Sequence, residues 1–283
     1  MELIMHKKEN SFKNKEGLNL FYRTWQSDNP KATVLISHGY AEHSDRYDEF
    51  ARYLVDNGFD VFALDHRGHG KSDGEQTHID SFNQYVDDLH EFRKLVQEQT
   101  TNPLYLLGHS MGGAIAGLYA IKFQDGLAGL ILSSAYLKNA VKVPAIKLAL
   151  AGLVAKLTPK LVLVPPLDAS LVSHDQEIVE KYKNDPLNYT EGTKAKMGSE
   201  LLKAGPMVLK DAHRINLPTL ILYGSDDQIA DPEGSKELYE KLGAKDKTIT
   251  GYNGFYHEIL NELEREQVYQ DISEWLNNHL SMD

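Results

Sequence analysis

The 283-residue chain is 25% charged and 41% hydrophobic, the composition of a globular protein long enough to bury a sizeable α/β core. Its formal net charge of −11 argues against a nucleic-acid partner, because phosphate binding needs clustered Lys and Arg. The absence of cysteine excludes a disulfide framework, a thiolate metal site and a cysteine nucleophile.

The opening residues, MELIMHKKEN, lack the apolar core of a signal peptide. No apolar run approaches the roughly 18 residues of a spanning helix. Together these predict a cytoplasmic protein. Residues 11–25 alternate and break at Lys15-Glu16-Gly17, which predicts a β-hairpin with Leu18–Trp25 as its second arm. Ala32–Ser37 is an apolar run that reads as a buried strand and exits through His38-Gly39-Tyr40. A helix over Tyr47–Asn57 is stopped by Gly58, and a strand over Phe59–Leu64 leads into the polar loop Asp65–Ser72. There Asp65 is expected to fix the turn. Ser81–Gln99 has helical periodicity, and Leu127–Ser133 reads as another strand.

Between these last two lies Pro103–Gly113, PLYLLGHSMGG. A short apolar strand, a G-x-S-x-G turn and a helix beginning near Ala114 are the setting of a nucleophile elbow. Gly108 and Gly112 let strand and helix approach without a clashing Cβ, and Ser110 is raised at the carboxyl edge of a sheet. The alternation lapses between about Tyr136 and Ile215. It resumes with Leu217–Tyr223, a helix near Pro232–Leu242, the strand Lys247–Thr250 and a closing helix Arg265–Leu280. Such alternation implies a mostly parallel central sheet flanked by helices. Residues 1–135 and 216–283 then form an α/β core, and 136–215, too long for a loop, a helical insertion.

A serine hydroxyl needs a base, usually His, oriented by a carboxylate. In α/β-hydrolases these follow in the order Ser, acid, His. Past the Leu217–Tyr223 strand stand Asp226 and Asp227. Asp227 is assigned the role, with Asp226 left to shape the turn and Asp231 to cap the helix starting at Pro232. His257, after the last strand, fits the base; His213 precedes Asp227, and His279 lies in the final helix. The Met111 amide, after the nucleophile, and the Tyr40 amide, after the first buried strand, are the expected oxyanion donors. His109 reads as structural. No metal cluster, dinucleotide fingerprint or phosphate loop is present, so no cofactor is expected.

From Gly126 to Leu167 there is no Asp or Glu, while Lys138, Lys142, Lys147, Lys156 and Lys160 punctuate a dense apolar stretch. Either this basic amphipathic element touches a lipid surface, or its apolar face packs on the core and its lysines are solvated.

The blocks His38-Gly39-Tyr40-Ala41-Glu42-His43-Ser44 with Arg46-Tyr47, Asp65–Ser72, Gly108–Gly113, Gly224–Asp227 and Tyr256-His257-Glu258 resemble one family nearly end to end. It is the monoacylglycerol lipase and lysophospholipase branch of the α/β-hydrolases, grouped with the serine aminopeptidase-like hydrolases. The resemblance implies Ser110, Asp227 and His257 as the triad, Tyr40 and Met111 as oxyanion donors, and the insertion as a cap with an apolar tunnel for one acyl chain. It implies that Glu42, His43 and Arg46 line the polar end, a surface role being the alternative, and that Tyr182, in Tyr182–Leu187, faces a glycerol group. The family usually has a smaller residue where Tyr40 stands, and often Arg where His174 stands. The expected reaction is hydrolysis of a monoacylglycerol to fatty acid and glycerol, without a cofactor. A lysophospholipase or general carboxylesterase would use the same triad, and a non-catalytic lipid- or partner-binding protein would not need it. The expected partner is a single-chain lipid ester, with peripheral membrane contact through the cap; the sequence leaves the oligomeric state open.

Overall fold

The structure is a computed structural model that describes residues 6–141 and 152–280. The expected hairpin is β1 (His6–Lys13) and β2 (Asn19–Gln26), paired antiparallel from His6↔Gln26 to Lys13↔Asn19. The buried strands are β3 (Ala32–Ser37), β4 (Phe59–Leu64), β5 (Leu104–His109) and β6 (Gly129–Ser133). Helices α1 (Asp48–Asp56), α2 (Asn83–Gln97) and α3 (Met111–Phe123) connect them. Gly58, at φ +86°, ends α1 as its sequence position predicts.

The segment before the next core strand contains a pair that periodicity did not reveal, β7 (Val162–Val164) with β8 (Thr193–Lys194). The insertion is therefore not wholly helical, because two- and three-residue strands are too short to leave a period in the sequence. Its helices include α4 (Gln176–Asn184) and α5 (Ala195–Asp211). α5 packs on α3, where a Cβ added at Gly117 would lie 2.8 Å from Val208 Cγ1. Lys142 and Lys147 of the basic stretch lie outside the described residues. Lys138 and Lys160 are paired, with Glu237 at 2.6 Å and Glu75 at 2.7 Å.

β9 (Thr219–Gly224), α6 (Pro232–Lys241), β10 (Lys247–Tyr252) and α7 (Arg265–Leu280) complete the chain. Asp231 caps α6 by accepting the Glu233 N–H at 3.0 Å. The main sheet has the order β1-β2-β4-β3-β5-β6-β9-β10. β2 runs antiparallel to both neighbours and the remaining pairs are parallel.

Alternate residues of each central strand feed two separate cores. Leu35, Leu106, Leu130 and Ile221 pack with α2, α3, α5 and α6. Val34, Ile36, Leu107, Ile131 and Leu222 pack on the opposite face with α1 and α7. Burial on both faces is why these runs are continuously apolar rather than alternating. The parallel register aligns the strand exits: Ser37 pairs with Gly108, Gly108 with Leu132, Ser133 with Leu222, and Gly224 with Tyr252. The loops after β3, β5, β9 and β10 consequently open along one edge.

Candidate active site

Ser110 occupies the turn between β5 and α3 at φ +53°, ψ −118°, a conformation strained for a non-glycine residue. Its N–H donates to Ser133 O at 3.0 Å, and its carbonyl accepts the Gly113 and Tyr136 N–H groups, each at 2.9 Å. Those bonds hold the strain in place. The flanking glycines are sterically required: a Cβ at Gly112 would run into the Ser37 and His38 carbonyls, and one at Gly108 into the Gly112 carbonyl.

β9 and β10, as parallel neighbours, deliver the other two groups. Asp227 Oδ1 accepts the Ile229 and Ala230 N–H groups at 2.8 and 3.0 Å. This leaves Oδ2 to accept from His257 Nδ1–H at 2.7 Å. His257 Nε2 then faces the Ser110 hydroxyl at 2.8 Å and accepts its proton. All three side chains are buried. Burial disfavours the His257 imidazolium, but the Asp227 carboxylate outweighs it and raises the pKa above 6.5. Asp226 lies in the exposed turn, bonded to Ser225 Oγ.

His109 does fill a structural place, with Nδ1 3.1 Å from the Ser133 carbonyl; burial, reinforced by His257, lowers its pKa to about 4. Asp65 ties two loops together, accepting the Ser44 and Lys71 N–H groups at 2.8 and 2.9 Å.

Ser110 and His257 open on a cavity of about 420 Å³, which Tyr40 and Met111 also line. Met111 begins α3, where helix N–H groups lack intrahelical acceptors and favour negative charge. Glu42 and Tyr182 line the same cavity, together with Glu258. Val164, Pro165, Pro166, Leu167, Leu171 and Leu201 supply an apolar wall from the insertion. The Tyr40 side chain is itself in the cavity wall, and burial pushes its phenol up to about 12.

His43 and Arg46 are placed elsewhere. Both border an outer groove rather than the catalytic cavity. His43 Nε2 lies 2.9 Å from Asp185 Oδ2, joining the loop after β3 to the end of α4. Arg46 forms a buried cluster with Glu42 and Glu258. Glu42 is held at about 2; burial alone would raise it, and Arg46, His109, His38 and the Gly39 N–H together outweigh burial. Glu258 carries no role in the sequence reading, although its position directly after His257 marks it. His174 pairs with Glu262 at 2.9 Å and stacks on Tyr256.

A mostly parallel sheet flanked by helices, a serine on the strand-to-helix turn, and an acid and a histidine on loops after the last two strands define an α/β-hydrolase. The profile of the family described as serine aminopeptidase, S33, matches residues 28–264, and the chain belongs to that family. It is 34% identical over 277 residues to the monoacylglycerol lipase of Mycolicibacterium smegmatis, spanning 96% of this chain and 98% of that one. It is 37% identical over 269 residues to the monoglyceride lipase of Homo sapiens, spanning 93% and 88%. The crystal structure of Paleococcus ferrophilus monoacylglycerol lipase, 32% identical, superposes with a TM-score of 0.82 over 98% of this chain and 100% of that one.

Proposed function

We propose that the protein hydrolyses the ester bond of a monoacylglycerol, releasing a fatty acid and glycerol. The observation that carries this reading is the two-sided lining of the cavity above Ser110. Glu42, Glu258 and Tyr182 all touch Arg46, so the polar groups are gathered together. The run Val164–Leu167 with Leu171 offers an apolar wall. A small polar alcohol and one acyl chain match such a lining. The named relatives are lipases of this class over nearly their full length, which supports the same substrate.

In this mechanism His257 Nε2 takes the Ser110 proton as Oγ attacks the ester carbonyl. The oxyanion of the tetrahedral intermediate is met by the Tyr40 and Met111 amides. Imidazolium returns the proton to the departing glycerol oxygen, leaving an acyl-serine. His257 then deprotonates a water, which attacks the acyl carbonyl and frees the fatty acid and Ser110.

Residues 136–215 serve as the cap. Among the described residues, no helix is long and apolar enough to cross a membrane. Val141, Leu157 and Val164 are 67%, 72% and 51% exposed, and Val141 and Val164 also line the cavity. We read these exposed apolar residues as a peripheral contact of a cytoplasmic enzyme with the lipid surface that holds its substrate.

The test is fatty-acid release from monoacylglycerols of several chain lengths, a lysophospholipid, a triacylglycerol and a short aryl ester, with Ser110→Ala alongside. Preference for a monoacylglycerol, abolished in the variant, is expected. Turnover of the short ester alone would reduce the reading to a carboxylesterase. Preference for the lysophospholipid would move it to lysophospholipase. Silence on every ester would refute it.

A further inference from the structure

Arg46 lies outside the catalytic cavity yet touches both loops that build it. Its fork grips Glu258, Nη1 to Oε1 at 2.6 Å and Nη2 to Oε2 at 2.7 Å, across 212 residues of chain. Nη1 also donates to Glu42 Oε2 at 2.8 Å. Glu42 Oε1 in turn accepts the Gly39 N–H at 2.5 Å and the Tyr47 hydroxyl at 2.9 Å. Glu258 adjoins His257, and its own N–H donates to Val172 O of the insertion at 2.8 Å. Gly39 adjoins Tyr40. The Tyr182 ring of α4 lies 4.7 Å from the guanidinium carbon. All three charged side chains are at least nine-tenths buried.

We infer that Arg46 is a positioning residue for the hydrolysis proposed above: one guanidinium fixes the loop bearing His257 against the loop bearing the Tyr40 amide. Two buried carboxylates face each other across it, and without the cation they repel and lose their partner. Lysine cannot replace it, because a point charge lacks the planar fork that satisfies Glu258 twice while reaching Glu42. The cluster holds two negative charges and one positive. The groups acting on His257 are Asp227 from the loop after β9, Glu258 from its own segment, Glu42 from the loop after β3, and His109 from the elbow, while Arg46 acts on the neighbouring His109. Tyr182 packs over the cluster from α4.

The experiment compares wild type, Arg46→Lys, Glu258→Gln and the exposed control Arg52→Lys on a soluble short aryl ester. Exhaustive fluorophosphonate titration counts the active sites, so a partly unfolded preparation does not mimic a slow one. Arg46→Lys is expected to lower kcat per titrated site roughly 10- to 100-fold with KM within about twofold, the cost of a misplaced catalytic group. Because its charge is kept, the acid limb of its pH profile stays in place. Glu258→Gln, nearly isosteric, should lower kcat as well and move that limb to lower pH, since a negative charge beside the imidazolium is gone. Arg52→Lys should match wild type. Wild-type kcat and pH profile in both cluster variants, with normal titration, would overturn the positioning role alone. A wild type that fluorophosphonate does not modify would overturn the hydrolase reading, and this inference with it.

Discussion

Replacing Asp227 by Asn isolates what the carboxylate does, because the surrounding hydrogen bonds dictate how the amide must sit. Oδ1 accepts two backbone N–H groups, from Ile229 and Ala230. The Asn oxygen must keep that place, since two buried N–H donors would otherwise go unpaired. Its NH₂ then faces His257 Nδ1, where Asp227 Oδ2 accepts at 2.7 Å. Two donors cannot face each other, so Nδ1 gives up its hydrogen and Nε2 takes it. Nε2 would then donate to Ser110 Oγ instead of accepting from it, and the base is lost. The charge is lost too. A carboxylate and an imidazolium with centres about 4 Å apart attract by about 4 kcal/mol at an effective dielectric of about 20. The expected fall in kcat is about 10⁴-fold, or about 5 kcal/mol of transition-state stabilisation. Steady-state hydrolysis of a short aryl ester across pH, normalised to folded protein by circular dichroism, measures it. The remaining activity should persist to lower pH than in wild type, because burial then acts on His257 without its counter-charge. A variant within tenfold of wild type near neutral pH would refute the tautomer argument.

The elevated pKa of His257 also links stability to pH. A group raised on folding contributes stability that is fully present below its unfolded value, near 6.5, and lost as pH rises through the folded value. The difference in thermal midpoint between wild type and His257→Gln should therefore shrink with rising pH over that window, while wild-type activity climbs; a difference that grew would contradict the sign. Gly112→Ala places a methyl against the Ser37 and His38 carbonyls, backbone that cannot yield cheaply. It should cost about 3 kcal/mol or more in denaturant unfolding, or prevent folding, and a change under 1 kcal/mol would show that the elbow relaxes. Asp65→Ala strands the buried Ser44 amide and the part-buried Lys71 amide and should cost about 3 kcal/mol by the same assay, with no loss meaning that water replaces the carboxylate. Leu157→Ser with Leu153→Ser, both exposed and outside the cavity lining, should weaken vesicle sedimentation while leaving short-ester turnover intact; unchanged sedimentation would remove these residues from membrane contact.

What could be read ahead of the structure divides by distance along the chain. The elbow was legible because its chemistry is local: Gly108, Ser110 and Gly112 sit within five residues, between an apolar run and a helix. The order of strands and helices was legible because Ala32–Ser37, Phe59–Leu64 and Leu104–Leu107 are short, apolar and bounded by breakers. The faces of those strands were not, since Val34 and Leu35 are equally apolar and enter opposite cores. Charge was the least legible quantity. An acid-free stretch studded with lysines reads as a basic face, yet Lys138 and Lys160 find carboxylates on other elements. The resemblance offers Arg46 either the substrate's polar end or a surface role, and neither reading names the partners its guanidinium takes, Glu42 and Glu258. A charged residue has no period, and its partner is set by where the sheet register brings distant loops. In this fold the register opens the loops after β3, β5, β9 and β10 on one edge, and the same alignment that assembles Ser110, Asp227 and His257 also brings Glu258 to Arg46. The triad could be assembled from motif order alone, whereas the ion cluster behind it depends on tertiary structure. That difference is why Ser110, Asp227 and His257 are found by pattern and the ion pairs behind them only by folding the chain.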